Sequence, residues 1–207
     1  MKSFRIFRHG TLTILEIPLT EKEIQECLKM GERRTKLNEQ KLGWLYRHHG
    51  LPSLRAHAIG FMGEKGFEKF LDSKGFIKGV DYVRNDPFVK RYEEIKQDYT
   101  IRGREIGIKS ADNDSLEDAT KYGTFLYPAK MMEEESKRVL PYPDYLIQTV
   151  VSTNKKKCWI CGFVDKKTIK KSPIRWVVGK PAHRIPIEKY RPVTEILRNL
   201  KTQERNR

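Results

Sequence analysis

The chain has 207 residues, enough for one well-packed domain or a domain with a small appendage. Only 38% of it is hydrophobic and 33% is charged, and 42 Lys/Arg against 27 Asp/Glu leave a net charge of +15, which favours a polyanionic partner. There is no run of about 18 apolar residues and no amino-terminal apolar segment with a cleavage site, so a bilayer-spanning or secreted protein is not expected and a cytoplasmic, intracellular one is.

The elements read in chain order as follows. Phe4 to Phe7 and Leu12 to Ile17 form a hairpin turning at His9-Gly10, and Pro18 ends it. Thr20 with Glu23 is a capping box, Leu19 can staple onto Ile24, and a helix runs from Glu21 through the mid-thirties, weakened at Gly31. A further helical stretch, Thr35–Leu45, closes at Arg47-His48-His49-Gly50; adjacent histidines diverge on a helix, so a shared metal ion is not expected there. Ala58 to Ser73 is helical, and Gly60, Glu64, Phe67 and Leu71 share one side, which puts Glu64 on a partly apolar face. A carboxylate in that position costs free energy unless a partner or cation compensates it, and the three glycines of this helix allow close approach of a sheet or a nucleic-acid backbone.

Phe76 to Val83 is a predicted strand, broken at Asp86-Pro87, and Phe88–Gln97 is a connector or short helix. The segment from Asp98 to Lys109 is a hairpin whose turn falls at Arg102-Gly103, because Gly103 can take the positive φ that tight hairpins need. On the returning strand Glu105, Gly107 and Lys109 point to one face and Ile106 and Ile108 to the other. A lysine on a rigid strand beside a carboxylate suits metal-assisted phosphodiester hydrolysis; a charged, solvated hairpin end is the simpler reading of the same residues. A polar loop follows Ser110, then Phe125–Lys130, a helical Met131–Lys137, strands Asp144–Val151 and Lys157–Val164, a helical turn Thr168–Lys171, and a strand-to-helix piece from Pro186 to Leu200.

Charge is uneven. Residues 153–207 hold 16 Lys/Arg against 4 Asp/Glu, a net of +12, whereas residues 1–152 are near neutral at +3. A basic end on a neutral body reads as a nucleic-acid footprint, and a solvated basic surface without a partner is the simpler alternative. Cys158 and Cys161 have CxxC spacing, but three residues along a strand point the thiols to opposite faces, so buried strand cysteines are expected rather than a metal or redox pair. Cys27 lies on the apolar side of its helix with Ile24 and Leu28.

The order of helix with Glu64, strand, hairpin with Asp98 and Lys109, helix and two strands resembles the PD-(D/E)XK nuclease superfamily. The Gly60-x-x-x-Glu64 helix with Gly75-Phe76 resembles the first helix of archaeal Holliday junction resolvases. The Asp98…Ile-x-Ile-Lys109-Ser hairpin resembles the D…(D/E)xK signature, Asp144-Tyr-Leu-Ile with Lys157–Val164 resembles the strand pair that succeeds it, and Ala182–Pro192 resembles the closing segment of small phage and archaeal-virus members. The resemblance covers about residues 58 to 200. It implies an α/β (α+β) fold with a restriction-endonuclease-like core, a central mixed sheet flanked by helices. The chain then divides into an amino-terminal hairpin and helix extension (1–50), the core (51–200) and a disordered basic tail (201–207).

The resemblance further implies hydrolysis of DNA with Mg2+ or Mn2+, at branched or linear sites. Asp98, Glu64 and the backbone carbonyl of Ile108 would hold the metal and Lys109 would position the attacking water. The signature's middle acid falls at Gly107, which supplies no ligand. Glu64 is the substitute; Glu105, about 13 Å from Lys109 along an extended strand, is weaker, as are Asp81 and Asp112. Gln148 points toward the same pocket or bonds to backbone. Lys155, Lys156, Lys157, Lys166, Lys167, Lys170, Lys171 and Arg175 would contact phosphates. A homodimer is consistent with symmetric cutting of two strands. The alternatives are an inactive nuclease fold that binds DNA, and a basic RNA-binding protein; RNA is also an alternative substrate of the nuclease itself.

Overall fold

The computed structural model describes residues 4–48, 54–88, 97–129, 142–177 and 180–201. The fold is mixed α/β, as expected. A seven-stranded sheet has the order β1 (Arg5–His9), β2 (Leu12–Pro18), β8 (Lys157–Asp165), β7 (Tyr145–Ser152), β5 (Arg104–Asp112), β4 (Tyr99–Ile101), β3 (Tyr82–Arg84). Only β5 and β7 run parallel; every other pair in it is antiparallel. A second sheet orders β6 (Thr124–Pro128), β10 (Lys180–Pro186) and β9 (Ile174–Val177). The amino-terminal hairpin extends the main sheet beyond β8.

Two cores cover the sheet. One face carries α1 (Glu21–His48), α2 (Leu54–Ser73) and α5 (Val193–Lys201), with Phe67, Phe70, Tyr99, Ile106 and Phe163 fully buried between them. The other carries the small sheet with α3 (Leu116–Thr120) and α4 (Lys166–Lys171) over Leu146, Val150, Trp159 and Val164. Strand β7 lies between both layers, which is why its residues after Tyr145 are all buried, the polar Gln148, Thr149 and Ser152 included. Cys158 and Cys161 fall one in each core and Cys27 in the first, all buried thiols.

Several expectations are corrected. Helix α1 is continuous from Glu21 to His48, not weakened at Gly31. A Cβ at Gly31 would sit 3.0 Å from the Leu54 carbonyl and the Ala58 nitrogen, so the glycine serves the crossing of α1 over α2. Helix α2 begins at Leu54, ahead of Ala58; β3 is confined to Tyr82–Arg84; and β5 continues past Lys109 to Asp112. Helix α3, capped by the Ser115 hydroxyl accepting from the Asp118 N–H, stands where a polar loop was expected. The capping box is formed as read: the Thr20 N–H donates to Glu23 Oε2 at 2.7 Å and the Glu23 N–H to Thr20 Oγ1 at 3.2 Å. The expectations for the His48 and His49 side chains, for 131–137 and for the tail from 202 lie outside the described residues, as does most of the 88–97 connector. No helix among the described residues is long and apolar enough to cross a membrane.

Candidate active site

The site forms where β4 and β5 part. Their ladder pairs Ile101 with Arg104 through to Tyr99 with Ile106, closed by a turn in which Arg102 and Gly103 both have positive φ, 47° and 75°. These are the signs of a two-residue type I′ turn. Gly103 takes them freely; Arg102 is held there by Asp81, whose carbonyl accepts from the Arg102 N–H at 3.3 Å. Beyond Tyr99 strand β4 ends, and the Ile108 N–H of β5 loses its backbone partner on that side. Asp98 replaces it: the Ile108 N–H donates to Asp98 Oδ2 at 2.6 Å. A backbone group that needs an acceptor thus fixes the aspartate in the gap between the strands.

Glu64 arrives from α2, whose Gly63 and Gly66 pack on the sheet. A Cβ at Gly63 would overlap Ser110 Oγ and Thr149 Oγ1, and one at Gly66 would overlap Cys158. That contact brings the helix close enough for Glu64, 8% exposed, to stand under the gap. The Tyr99 hydroxyl donates to the Glu64 carbonyl at 3.0 Å. Burial, then the neighbouring Asp98 charge, raises the Glu64 pKa against the pull of Arg84. Burial likewise raises that of Asp98, opposed by the Ile108 N–H, Arg84 and Lys109. Lys109 projects from the opposite face of β5. Desolvation of its ammonium lowers its pKa, and Asp98 acts in the other direction. Lys109 is nonetheless an exposed residue, and no hydrogen bond or ion pair among the described residues ties it to Asp98, whose charge acts on it at longer range.

The weaker acids are engaged elsewhere. The Glu105 carboxylate accepts from the Gln97 N–H at 3.2 Å and the Thr100 hydroxyl at 3.0 Å, bracing the hairpin. Asp81 is taken up by the Ile77 N–H and Arg102, and Asp112 by Arg55. Among the described residues no group of three or more His, Cys, Asp or Glu is gathered as a metal site.

Three residues of the site were not found in the sequence. Arg84 of β3 donates from Nη2 and Nε to Glu64 Oε2 at 2.7 and 3.0 Å. Tyr127 of β6 faces the site from the small sheet; burial, then the charge of Asp98, pushes its phenol up to about 12. Gln97 answers the question posed by Gly107. A Cβ at 107 would lie 3.0 Å from Gln97 Oε1 and 3.1 Å from Pro143 Cγ, so the space of the expected acid is filled and holds an amide oxygen. The Arg84 contact had no signal in the sequence, since it depends on strand pairing; the Gln97 contact had a weak one, its place beside Asp98.

Gln148 of β7 pairs in register with Lys109 and is 2% exposed. Its Nε2 donates to the Thr149 carbonyl at 2.9 Å, and its Oε1 has no hydrogen-bond partner among the described residues. A β-bulge lies opposite, between Gln148 and Thr149, a feature that re-aims side chains beside functional sites. The basic residues read as phosphate contacts form two groups at opposite ends of β8, roughly 25–30 Å apart. Lys155–Lys157 occupy the β7–β8 turn, where Lys156 pairs with Glu21 and Lys157 with Glu16; Lys166, Lys167, Lys170 and Lys171 lie on α4, followed by exposed Arg175 on β9.

Fold and site together describe a mixed α/β protein in which a buried glutamate on α2, a half-buried aspartate just before β4 and a lysine on β5 lie near one strand gap. Comparison of the chain with protein-family models, curated proteins and solved structures returned no match.

Proposed function

We propose that the chain is a metal-dependent nuclease that hydrolyses DNA phosphodiester bonds, built on the PD-(D/E)XK plan that the sequence resembles. The observation that supports this reading is that the Ile108 N–H fixes Asp98 in the gap between β4 and β5, where its charge acts on both Glu64 and Lys109. The element order supports it: a helix, a three-stranded meander and then a strand parallel to the meander's last member.

The donor set suits Mg2+ or Mn2+. All its atoms are hard oxygens, and Mg2+ is commonly bound by one or two carboxylates with water and phosphate completing the shell. A buried and a half-buried carboxylate whose pKa values are raised by desolvation are also groups that a divalent cation would relieve. Asp98, Glu64 and the Ile108 carbonyl would hold the ion, with Gln97 Oε1 near the place left by Gly107. When bound, the ion polarises a phosphoryl oxygen and acidifies water. Asp98 is oriented by the Ile108 N–H; Lys109 holds and orients the attacking water and stabilises charge developing on the phosphate; Arg84 neutralises Glu64 until the carboxylate is needed.

The test is incubation of plasmid and branched DNA with Mg2+ or Mn2+ and with EDTA, beside Lys109→Ala and Asp98→Asn. Metal-dependent cleavage is expected, reduced by about 100-fold or more in each variant, on the scale of losing a positioned catalytic group. Cleavage undiminished in both variants would sink the assignment. Gly107 and the Arg84–Glu64 pair favour a second reading, an inactive nuclease fold that binds DNA; binding without cleavage under either metal selects it.

A further inference from the structure

Lys109 and Gln148 open into a cleft of about 670 Å³ on the face of the sheet opposite α2, walled by α3, the turn after it and the small sheet. Its size falls within the range of about 300–1,000 Å³ typical of pockets that hold a small ligand. Lys121 and Arg184 line it together with Lys109, against Asp118 as the acidic side chain on the wall. Neither Lys109 nor Arg184 makes a side-chain hydrogen bond or ion pair with the described residues. Tyr122 at the rim is 73% exposed, with the Lys121 ammonium 5.2 Å from its ring centre. At the floor Gln148 Oε1 is buried without a donor. A buried acceptor left so costs on the order of 1–3 kcal/mol unless something entering the cleft supplies an N–H or O–H.

These features ask for a ligand with anionic groups at intervals, a flat ring to lie on Tyr122 and a hydrogen-bond donor to reach the floor. We infer that the cleft binds an unpaired strand of the nucleic-acid substrate, so that the protein engages single-stranded or frayed DNA in preference to an uninterrupted duplex. Phosphates lie along Lys121 and Arg184 toward Lys109, a base stacks on Tyr122, and an exocyclic amino group of a base donates to Gln148 Oε1 once the amide turns toward the cleft. Stacking on an exposed aromatic beside cations is the usual means of holding single strands without reading their sequence. The inference rests on the nuclease reading for the role of Lys109 and adds the class of substrate.

The experiment is fluorescence anisotropy in EDTA, where no cleavage occurs, with a labelled single-stranded DNA oligonucleotide and the blunt duplex of the same length. The single strand is expected to bind at least about tenfold more tightly; Tyr122→Ala and Arg184→Ala are each expected to weaken it by about fivefold or more and to leave duplex binding unchanged. Both side chains reach solvent, and a melting curve of each variant checks that the fold is intact. Equal affinity for the two DNAs, or losses that affect both alike, overturns the inference. Because no metal is present, this result is separable from cleavage: a selective binder that never cuts would remove the nuclease reading and keep the cleft, and a nuclease indifferent to strandedness would do the reverse.

Discussion

Glu64 and Asp98 are carboxylates held where ionisation is costly, and that cost has a sign. A buried acid whose folded pKa lies above its unfolded one keeps its proton longer in the native state. Over the interval between the two values the native state binds more protons, so stability falls as pH rises. Urea midpoints of the metal-free protein are accordingly expected to decline from about pH 4, the ordinary carboxylate range, through neutrality, and Glu64→Gln is expected to flatten the decline. A midpoint that climbs over the same interval in the wild type would show that Arg84 outweighs burial at Glu64. Lys109 and Asp98 could be placed on one hairpin because a strand alternates and a hairpin returns. Arg84 could not, because its partner lies 20 residues away on a helix and only the pairing of β3 with β4 brings it round.

The elements owe their placement to steric details that residue types only hint at. Helix α2 carries three glycines in its middle, and they are not equivalent. Gly63 abuts Ser110 and Thr149, Gly66 abuts Cys158, and nothing lies within 4 Å of a Cβ at Gly60. Gly63→Ala is therefore expected to cost about 1–3 kcal/mol by overpacking, lowering the melting temperature by about 2–12 °C for a chain of this size, and to weaken activity by lifting Glu64 from the gap. Gly60→Ala should stabilise by about 0.5–1 kcal/mol through helix propensity alone. Opposite signs in a thermal melt check the pair. Thr20→Ala, which removes the capping hydroxyl, is expected to cost about 1 kcal/mol. Gly31 shows the limit of local reading: its intrinsic helix penalty suggested a weak point, yet a close crossing with α2 makes the small residue necessary.

At the level of the whole chain, the proposed metal site would make folding and cation binding a linked equilibrium. Mg2+ or Mn2+ at about 100 times its dissociation constant is expected to stabilise by about 2.7 kcal/mol, raising the melting temperature by about 5–11 °C, and Asp98→Asn is expected to remove the shift. On that proposal, affinity for the ion is expected to rise with pH as the carboxyls lose their protons. Composition, periodicity and turn chemistry were sufficient for the mixed α/β class, the capping box, the Arg102-Gly103 hairpin and the buried cysteines, because each depends on neighbours in sequence or on a strand's alternation. The joining of β1 and β2 to the main sheet, the Arg84 contact, the amide oxygen beside Gly107 and the cleft between the two sheets depend on contacts between residues far apart in the chain. Long-range packing set them, and no local pattern carries that information.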